Sequence, residues 1–537
     1  LKMEQGPFVV AAERLYLNLS GVVRHPFGRR VLRGFLRLGE PGTHQVMEAL
    51  WDDPRLAPSA NGWKLGTARR MAGVVGLFLR RLVATLWQPQ RAQARIQQVE
   101  ALLDTFQTQA ARTTTLAERM VLLEAMCVAI PTIIAPLFLP TIASGVFPLR
   151  VIDALAAGLP DGTRLTLEIT RGLPNNVTTE MDLALWEVAR TIQKDAASAA
   201  RFVQLTAAEL SHAYLAGELP ERSQQVLRDF LRHYGMRGLA EIDFGRARWR
   251  EDPTPLMQVL QSYISIEDEQ QAPDRVFRRG AESAEAAIEQ IATTLGPPKA
   301  GLVRWLARRV RQLAGLRESP KFSVIRLFGI VRESLLQGAR ELVAQGLLSQ
   351  PEDIFFLRLR ELRAIATTAF PSDYRTARAH WPDLVAERRA RYEREKQRRQ
   401  VPRVLLSDGQ SFYEGMRALG GEEEGVLVGS PVSPGVVEGT VHVVHDPYQI
   451  QLVPGEILVC HGTDPAWTPL FLAAGGLIME VGGLMTHGSV VARERWYSRR
   501  GGCPRGDHPP DKRAARASGW FYGAGNDSGI GQRDDDQ

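Results

Sequence analysis

Cysteine is scarce in this chain: three residues in 537, at Cys127, Cys460 and Cys503. They lie far apart and in no C-x-x-C spacing, which argues against a disulfide framework and against a cysteine-built structural zinc site, and fits a reducing cytoplasm. Lysine is scarce as well, so that the basic charge is almost all arginine. The excess of 66 basic over 60 acidic residues, a net +6, is small for this length and names no nucleic-acid partner. Long uninterrupted apolar runs are missing. The most apolar stretch, Met120 to Phe147, contains Glu124, Pro131, Pro136 and Pro140, and therefore reads as buried helices with turns instead of a membrane span. The opening LKMEQGPFVVAAERLYL has neither the charged start nor the apolar core and cleavage site of a secretory signal. A G-x-x-x-x-G-K-[ST] phosphate loop is absent too, so this chain is not expected to bind ATP by itself.

What is present is enough chain for about three or four domains. From Gly21 to about Leu419 apolar residues recur three and four apart between glycine and proline breaks, which predicts helices. The clearest run over Arg29 to Leu38, Leu116 to Ala129, Met181 to Lys194, Ser283 to Leu295, Leu302 to Leu313, Val324 to Gln345 and Asp383 to Arg399. GGEEEG at 420–425 is a polar, glycine-rich break. Beyond it VLVGSPVSPGVVEGTVHVVHD alternates β-branched residues with turn signals, and GEILVCHGTD, PAWTPLFLAAG and GLIMEVGG read as strand, short helix and strand. The expected architecture is α+β and multidomain. A helical region, 1–419, leads through a hinge, 420–425, to a small β/β/α domain, 426–494. After Glu494 neither period survives, and 495–537 is expected to be a disordered tail without strands.

The chemistry concentrates in GGLMTHGSVVARE. Gly482, Gly483 and Gly488 leave room around His487 at a strand-to-helix turn, where the N–H groups of the following helix favour an anion. Neutral imidazole is a nucleophile near pH 7, and a phosphoryl group on its ring nitrogen stays labile enough to pass on. Thr486 can donate to phosphoryl oxygens and Arg493 can neutralise their charge. A second charged group, His233, Arg237, Glu241, Asp243, Arg246 and Arg248, either lines a pocket or forms buried ion pairs between helices. His442 and His445, three apart on a predicted strand, point to opposite faces and cannot share a metal; no metal site is expected.

GSPVSPGVVEGTVHVV, TDPAWTPLF and LIMEVGGLMTHGSVVARE, from Gly429 to Glu494, resemble the swivelling phosphohistidine domain of the phosphoenolpyruvate-utilising enzymes. NNVTTEMDLAL at Asn175, HYGMRGLAEIDFGRARWRED at His233, RESPKFSVIR at Arg317 and PEDIFFL at Pro351 are similar to segments of that family's rifampin phosphotransferase branch. The resemblance implies that His487 is the phosphorylated histidine. It also implies that Arg317, Glu318 and Lys321 contact a small-molecule acceptor, a rifamycin-like hydroxyl or pyruvate, with an acidic group as base and the cations neutralising the arriving charge.

That family carries ATP and magnesium on an ATP-grasp domain, to which this chain has no counterpart, so such a partner is expected upstream in cis or in trans. The family also continues past ARE into further strands. Here the pattern ends between Glu494 and Arg495, as a shifted reading frame would end it, and the small domain is expected to be truncated with an open sheet edge. The reading is a dikinase-type phosphotransferase fragment, inactive alone. The rival is a non-catalytic helical binding remnant that has lost phosphoryl transfer.

Overall fold

The computed structural model describes residues 8–39, 41–58, 65–266, 269–367, 374–398, 401–413, 430–431, 436–445, 447, 452–453, 455–463, 467–480, 514–518 and 521–522. The architecture is α+β. Two compact units are formed: Leu1–Met71 with Ala386–Thr463 and Ala473–Gln537, and Ala72–Val385 with Asp464–Leu472. The division therefore runs through the stretch 1–419 that the sequence reads as one helical region.

The larger unit is helical, and its helices follow the apolar period closely. Leu116–Ala129 is a helix with the predicted ends, opened by a capping box in which Thr115 and Glu118 satisfy each other's backbone N–H groups. Val177–Lys194, Pro273–Leu295, Lys299–Leu313 and Ser319–Ala344 extend the predicted cores at their N-terminal sides. The stretch from Met120 to Phe147 departs from expectation, since its prolines make no turns. One π-helical turn, Ile130–Ile134, takes up Pro131, and the helix continues as Ala135–Ala156 with Pro140 and Pro148 inside it. The wider turn removes the demand for the N–H that proline lacks. Leu116–Ala156 is, among the described residues, the one helical stretch long and apolar enough to cross a membrane by length and composition. Met120, Leu123, Met126 and Phe138 from it pack into a core with Leu327, Ile330 and Val331.

Among the described residues the helices enclose three larger cores and a small one of Ala92, Leu313 and Leu316. One is built around Val99, Leu103 and Ile330, a second around Leu185, Leu227 and Tyr263, and a third around Ile152, Ile291 and Val303. Ser319–Ala344, buried along much of its length, supplies residues to the first two.

In the other unit, β1 (Phe8–Ala11) and β2 (Arg14–Leu17) form a hairpin. Its two turn residues, Ala12 and Glu13, have φ of 48° and 56°. A second hairpin, β3 (Val404–Leu405) and β4 (Ser411–Phe412), places Val404 and Phe412 on a small core of Leu32, Leu36, Met47 and Trp51.

The sheet of the small domain contains β5 (Ser430–Pro431), β6 (Val436–Val443), β7 (Ile457–Cys460), β8 (Gly476–Met479), β9 (Ala514–Ser518) and β10 (Phe521–Tyr522) in the order β5-β10-β8-β7-β6-β9. β6, β7 and β8 are parallel neighbours, and Thr468–Ala473 is the helix between β7 and β8. All four residues of β7 are buried, as the apolar run ILVC requires of a strand covered on both faces.

Two expectations are corrected here. Residues 495–537 do supply strands: Ala514–Ser518 pairs antiparallel with β6, and Phe521–Tyr522 lies between β8 and β5. Accordingly neither β6 nor β8 is left as the open edge that a truncated domain would have. Ladder hydrogen bonds come from the backbone, so a segment without apolar alternation can still close an edge that offers free N–H and C=O groups.

Candidate functional site

Segments far apart in sequence meet at the turn that carries Arg317 and Glu318. Gly315–Glu318 is one 3-10 turn between the Lys299–Leu313 and Ser319–Ala344 helices. A Cβ on Gly315 would fall 2.2 Å from the Pro174 carbonyl oxygen and 3.0 Å from the Asn176 nitrogen, so glycine is what lets the 174–176 loop lie against this turn. In that loop Asn175 takes a left-handed φ of 60°. Asn176 caps the Val177–Lys194 helix by accepting from the Thr178 N–H at 3.1 Å. The motifs at Asn175 and Arg317 are thus neighbours in space.

Arg317 and Glu318 pair with each other. Lys321, one turn further on, has a side chain 42% exposed, yet its Nζ turns inward to Glu241 Oε1 at 3.0 Å. Glu241 is 2% exposed, and Arg237 Nε stands 3.0 Å from its other oxygen. The structure therefore brings Lys321 of the RESPK motif together with Arg237 and Glu241 of the second charged group.

The loop after the Glu221–Tyr234 helix makes this possible. The Trp249 N–H donates to the Arg237 carbonyl at 2.8 Å and the Arg250 N–H to Gly235 at 3.0 Å, folding 235–250 back on itself. Gly238 sits where a Cβ would lie 2.8 Å from the Ala247 carbonyl oxygen. From the long helix Arg332 donates to both oxygens of Glu251, at 2.9 and 2.6 Å, and to the Phe244 carbonyl at 2.5 Å. Arg248 is fully enclosed and donates to the Asp243 carbonyl at 3.2 Å. Its guanidinium is held below the usual arginine range by burial, with the Arg332 charge adding to the effect. Ala240, immediately before Glu241, has φ of 51°.

The remaining members of the group behave differently. His233 is exposed, with its ring edge-on to Tyr234 at 4.5 Å and tilted over Phe322 at 5.7 Å. Its imidazole is lowered by desolvation and by the Arg326 charge, which keeps it neutral at physiological pH. Tyr234 is pushed up to about 12, mainly by burial. Asp243 accepts from the Gly245 N–H at 2.7 Å and shapes the loop, while the Arg246 side chain is half-buried. An open pocket of about 480 Å³ nearby is lined by Asp104, Gln107, Tyr214, Arg228, Leu231, Arg232 and Arg250, and by none of the sequence-predicted residues.

In the small domain, Gly482, Gly483, Thr486, His487, Gly488 and Arg493 lie outside the described residues, as does the hinge at 420–425. The ends of β7 and β8, which precede them in sequence, are described. His461 and Glu480 immediately follow the parallel strands β7 and β8, and His461 Nδ1 is 2.8 Å from Glu480 Oε2. The imidazole, with His445 adding to it, holds the Glu480 carboxyl below its ordinary value. Sequence reasoning missed this pair; the available signal was that each residue directly follows an apolar strand, at the end where open parallel sheets bind ligands. His442 on β6 faces Glu456 at 3.2 Å, and His445 lies beyond the strand end.

Comparison with known proteins matches both parts. Residues 137–318 match the rifampicin phosphotransferase fourth domain, and residues 452–495 match the mobile domain of PEP-utilising enzymes. The rifampicin phosphotransferase of Streptomyces sviceus is 35% identical over 335 residues, which are 61% of this chain and 37% of that protein. That of Bacillus subtilis is 32% identical over 331 residues, with the same two shares, 61% and 37%. The prodigiosin synthesizing transferase PigC of Serratia marcescens is 26% identical over 338 residues, 62% of this chain and 37% of that protein. The chain thus spans little more than a third of the length of the relatives it matches.

Proposed function

We propose that this chain, similar to rifampicin phosphotransferases in its helical unit and to PEP-utilising enzymes in its mobile domain, is the acceptor-and-carrier portion of a phosphotransferase. The observation that supports this reading best is the meeting of the Asn175, Glu241 and Arg317 segments at one charged turn, adjoining and within the matched stretch 137–318.

In this reading His487 receives a phosphoryl group from an ATP-grasp domain, in cis or in trans, where ATP and magnesium are held. The swivelling of the small domain about 420–425 carries the group to the acceptor. There the P–N bond to His487 breaks as a P–O bond forms to an acceptor hydroxyl, and the hydroxyl proton passes to a carboxylate, with Glu318 the candidate. Arg317 and Lys321 neutralise the charge of the arriving phosphoryl oxygens, and Thr486, Arg493 and the glycines Gly482, Gly483 and Gly488 do so on the carrier side. A rifamycin-like hydroxyl suits the helical unit better than pyruvate does. The reaction belongs in the cytoplasm, where nucleotide is available.

The test supplies the chain with an ATP-grasp domain in trans and labelled Mg·ATP. One acid-labile, base-stable phosphate per chain is expected, lost in His487→Ala, and rifampicin added afterwards should discharge it. Rifampicin binding without any such phosphate would leave the non-catalytic binding remnant as the reading.

A further inference from the structure

We infer that Glu241 is a positioning residue that sets the place of the Lys321 ammonium at the acceptor turn. This rests on the reading of Arg317, Glu318 and Lys321 as the acceptor site.

Three observations carry it. First, a half-exposed lysine ordinarily extends its charged end into water, whereas Lys321 reaches inward to a carboxylate that is 2% exposed. Second, Glu241 already has a counter-charge in Arg237, at 3.0 Å. One cation is enough to neutralise a buried carboxylate, and a second leaves the group with one positive charge in excess. Such an excess is costly in an empty site and favourable once an anion arrives beside it, as a transferred phosphoryl group does. Third, the backbone is strained to deliver Glu241: Ala240 takes a φ of 51° that an L-residue with a Cβ rarely adopts. Arg332 holds the surrounding loop by three donations to Glu251 and Phe244, so the strain persists.

Glu241 itself does not touch the acceptor in this account. It acts through Lys321: the charge of its carboxylate, with Oε1 3.0 Å from Nζ, holds the ammonium in place. Arg237 is shared so that the carboxylate remains in place when Lys321 turns toward its anion.

The experiment uses the full chain and the variants Glu241→Gln, Lys321→Met and the double variant, each checked for folding by circular dichroism. Rifampicin binding is read by tryptophan quenching. Glu241→Gln is expected to weaken binding about ten-fold in the wild-type background and to have no further effect beside Lys321→Met, as coupled residues do. An equal loss in both backgrounds would make Glu241 a structural residue only and overturn the proposal. A wild-type chain that binds no rifampicin would count against the acceptor reading, and the positioning claim is then judged on a second measurement. Acylation of Lys321 by an N-hydroxysuccinimide ester, followed by peptide mass spectrometry, should be about three-fold or more faster in Glu241→Gln, where the amine is released. An unchanged rate would overturn the proposal independently of any ligand.

Discussion

The surroundings of the Arg317 turn and the strand ends of the small domain both hold charged side chains in place, and they do so in opposite ways. Around Lys321 the charges are buried and held by counter-charges and backbone carbonyls: Arg237, Glu241, Arg248 and Arg332 are each at most 3% exposed and come from one loop and one long helix. At the ends of β7 and β8 the charges are in water, with the His461 and Glu480 side chains 69% and 52% exposed. There the pair stands at the ends of strands whose residues are nearly all buried. Burying ion pairs is expensive and often less stabilising than burying apolar groups. The one region fixes its charges by burial, and the other leaves its charged pair in water.

The largest expected effect breaks the comparison if it fails. His487→Ala should abolish acid-labile phosphorylation completely, measured with the ATP-grasp domain in trans; a retained label would remove any carrier role from the strand-end turn. Next, Arg332→Met should cost about 3–5 kcal/mol in urea unfolding, because Glu251 loses its partner and the Phe244 carbonyl its donor. His461→Ala, which removes an exposed pair, should leave the urea midpoint nearly unmoved. Comparable losses in both would show that burial is not what distinguishes the two regions. Leu458→Ala, in the middle of β7 and fully buried, should cost about 2–4 kcal/mol through the cavity it leaves.

The alkaline limb of stability sharpens the contrast further. Burial raises Cys460 in β7 from 9.0 to about 12 and Tyr234 in the helical unit from 10.0 to about 12. Each group is harder to deprotonate folded than unfolded. Stability is therefore complete below the unfolded values and falls as pH rises toward about 12, from about 9 upward for Cys460 and from about 10 upward for Tyr234. Cys460→Ala should flatten the first part of the decline and Tyr234→Phe the second, followed by urea midpoints across that range. A small gain is expected from Ala240→Gly, which relieves the left-handed backbone and should stabilise by about 0.5 kcal/mol.

Helix positions were legible in the sequence because their causes are local. Thr115 and Glu118 stand three apart and cap the helix whose ends were predicted, and the apolar period marks the rest. The buried charge network was legible in its members but not in its pairings. Glu241 meets Lys321 and Glu251 meets Arg332 only because the loop folds onto a helix roughly eighty residues further along. The hairpin of β1 and β2 escaped notice because its turn uses Ala12 and Glu13 at positive φ, where asparagine and glycine would have announced it. The strands at 514–522 escaped because edge pairing draws on backbone groups, which no side-chain pattern reports.

The sheet order has a consequence for the time course of synthesis. β6, β7 and β8 are complete once Met479 has been made, but the strands that flank them start only at Ala514, thirty-five residues later. At about 5–20 residues per second, the interval is on the order of 2–7 s. Until those strands are in place, β6, β7 and β8 have two bare sides, able to pair with any extended chain they meet. The yield of correctly closed domains should therefore depend on how quickly the last residues are translated, and slow codons between Met479 and Ala514 should lower it.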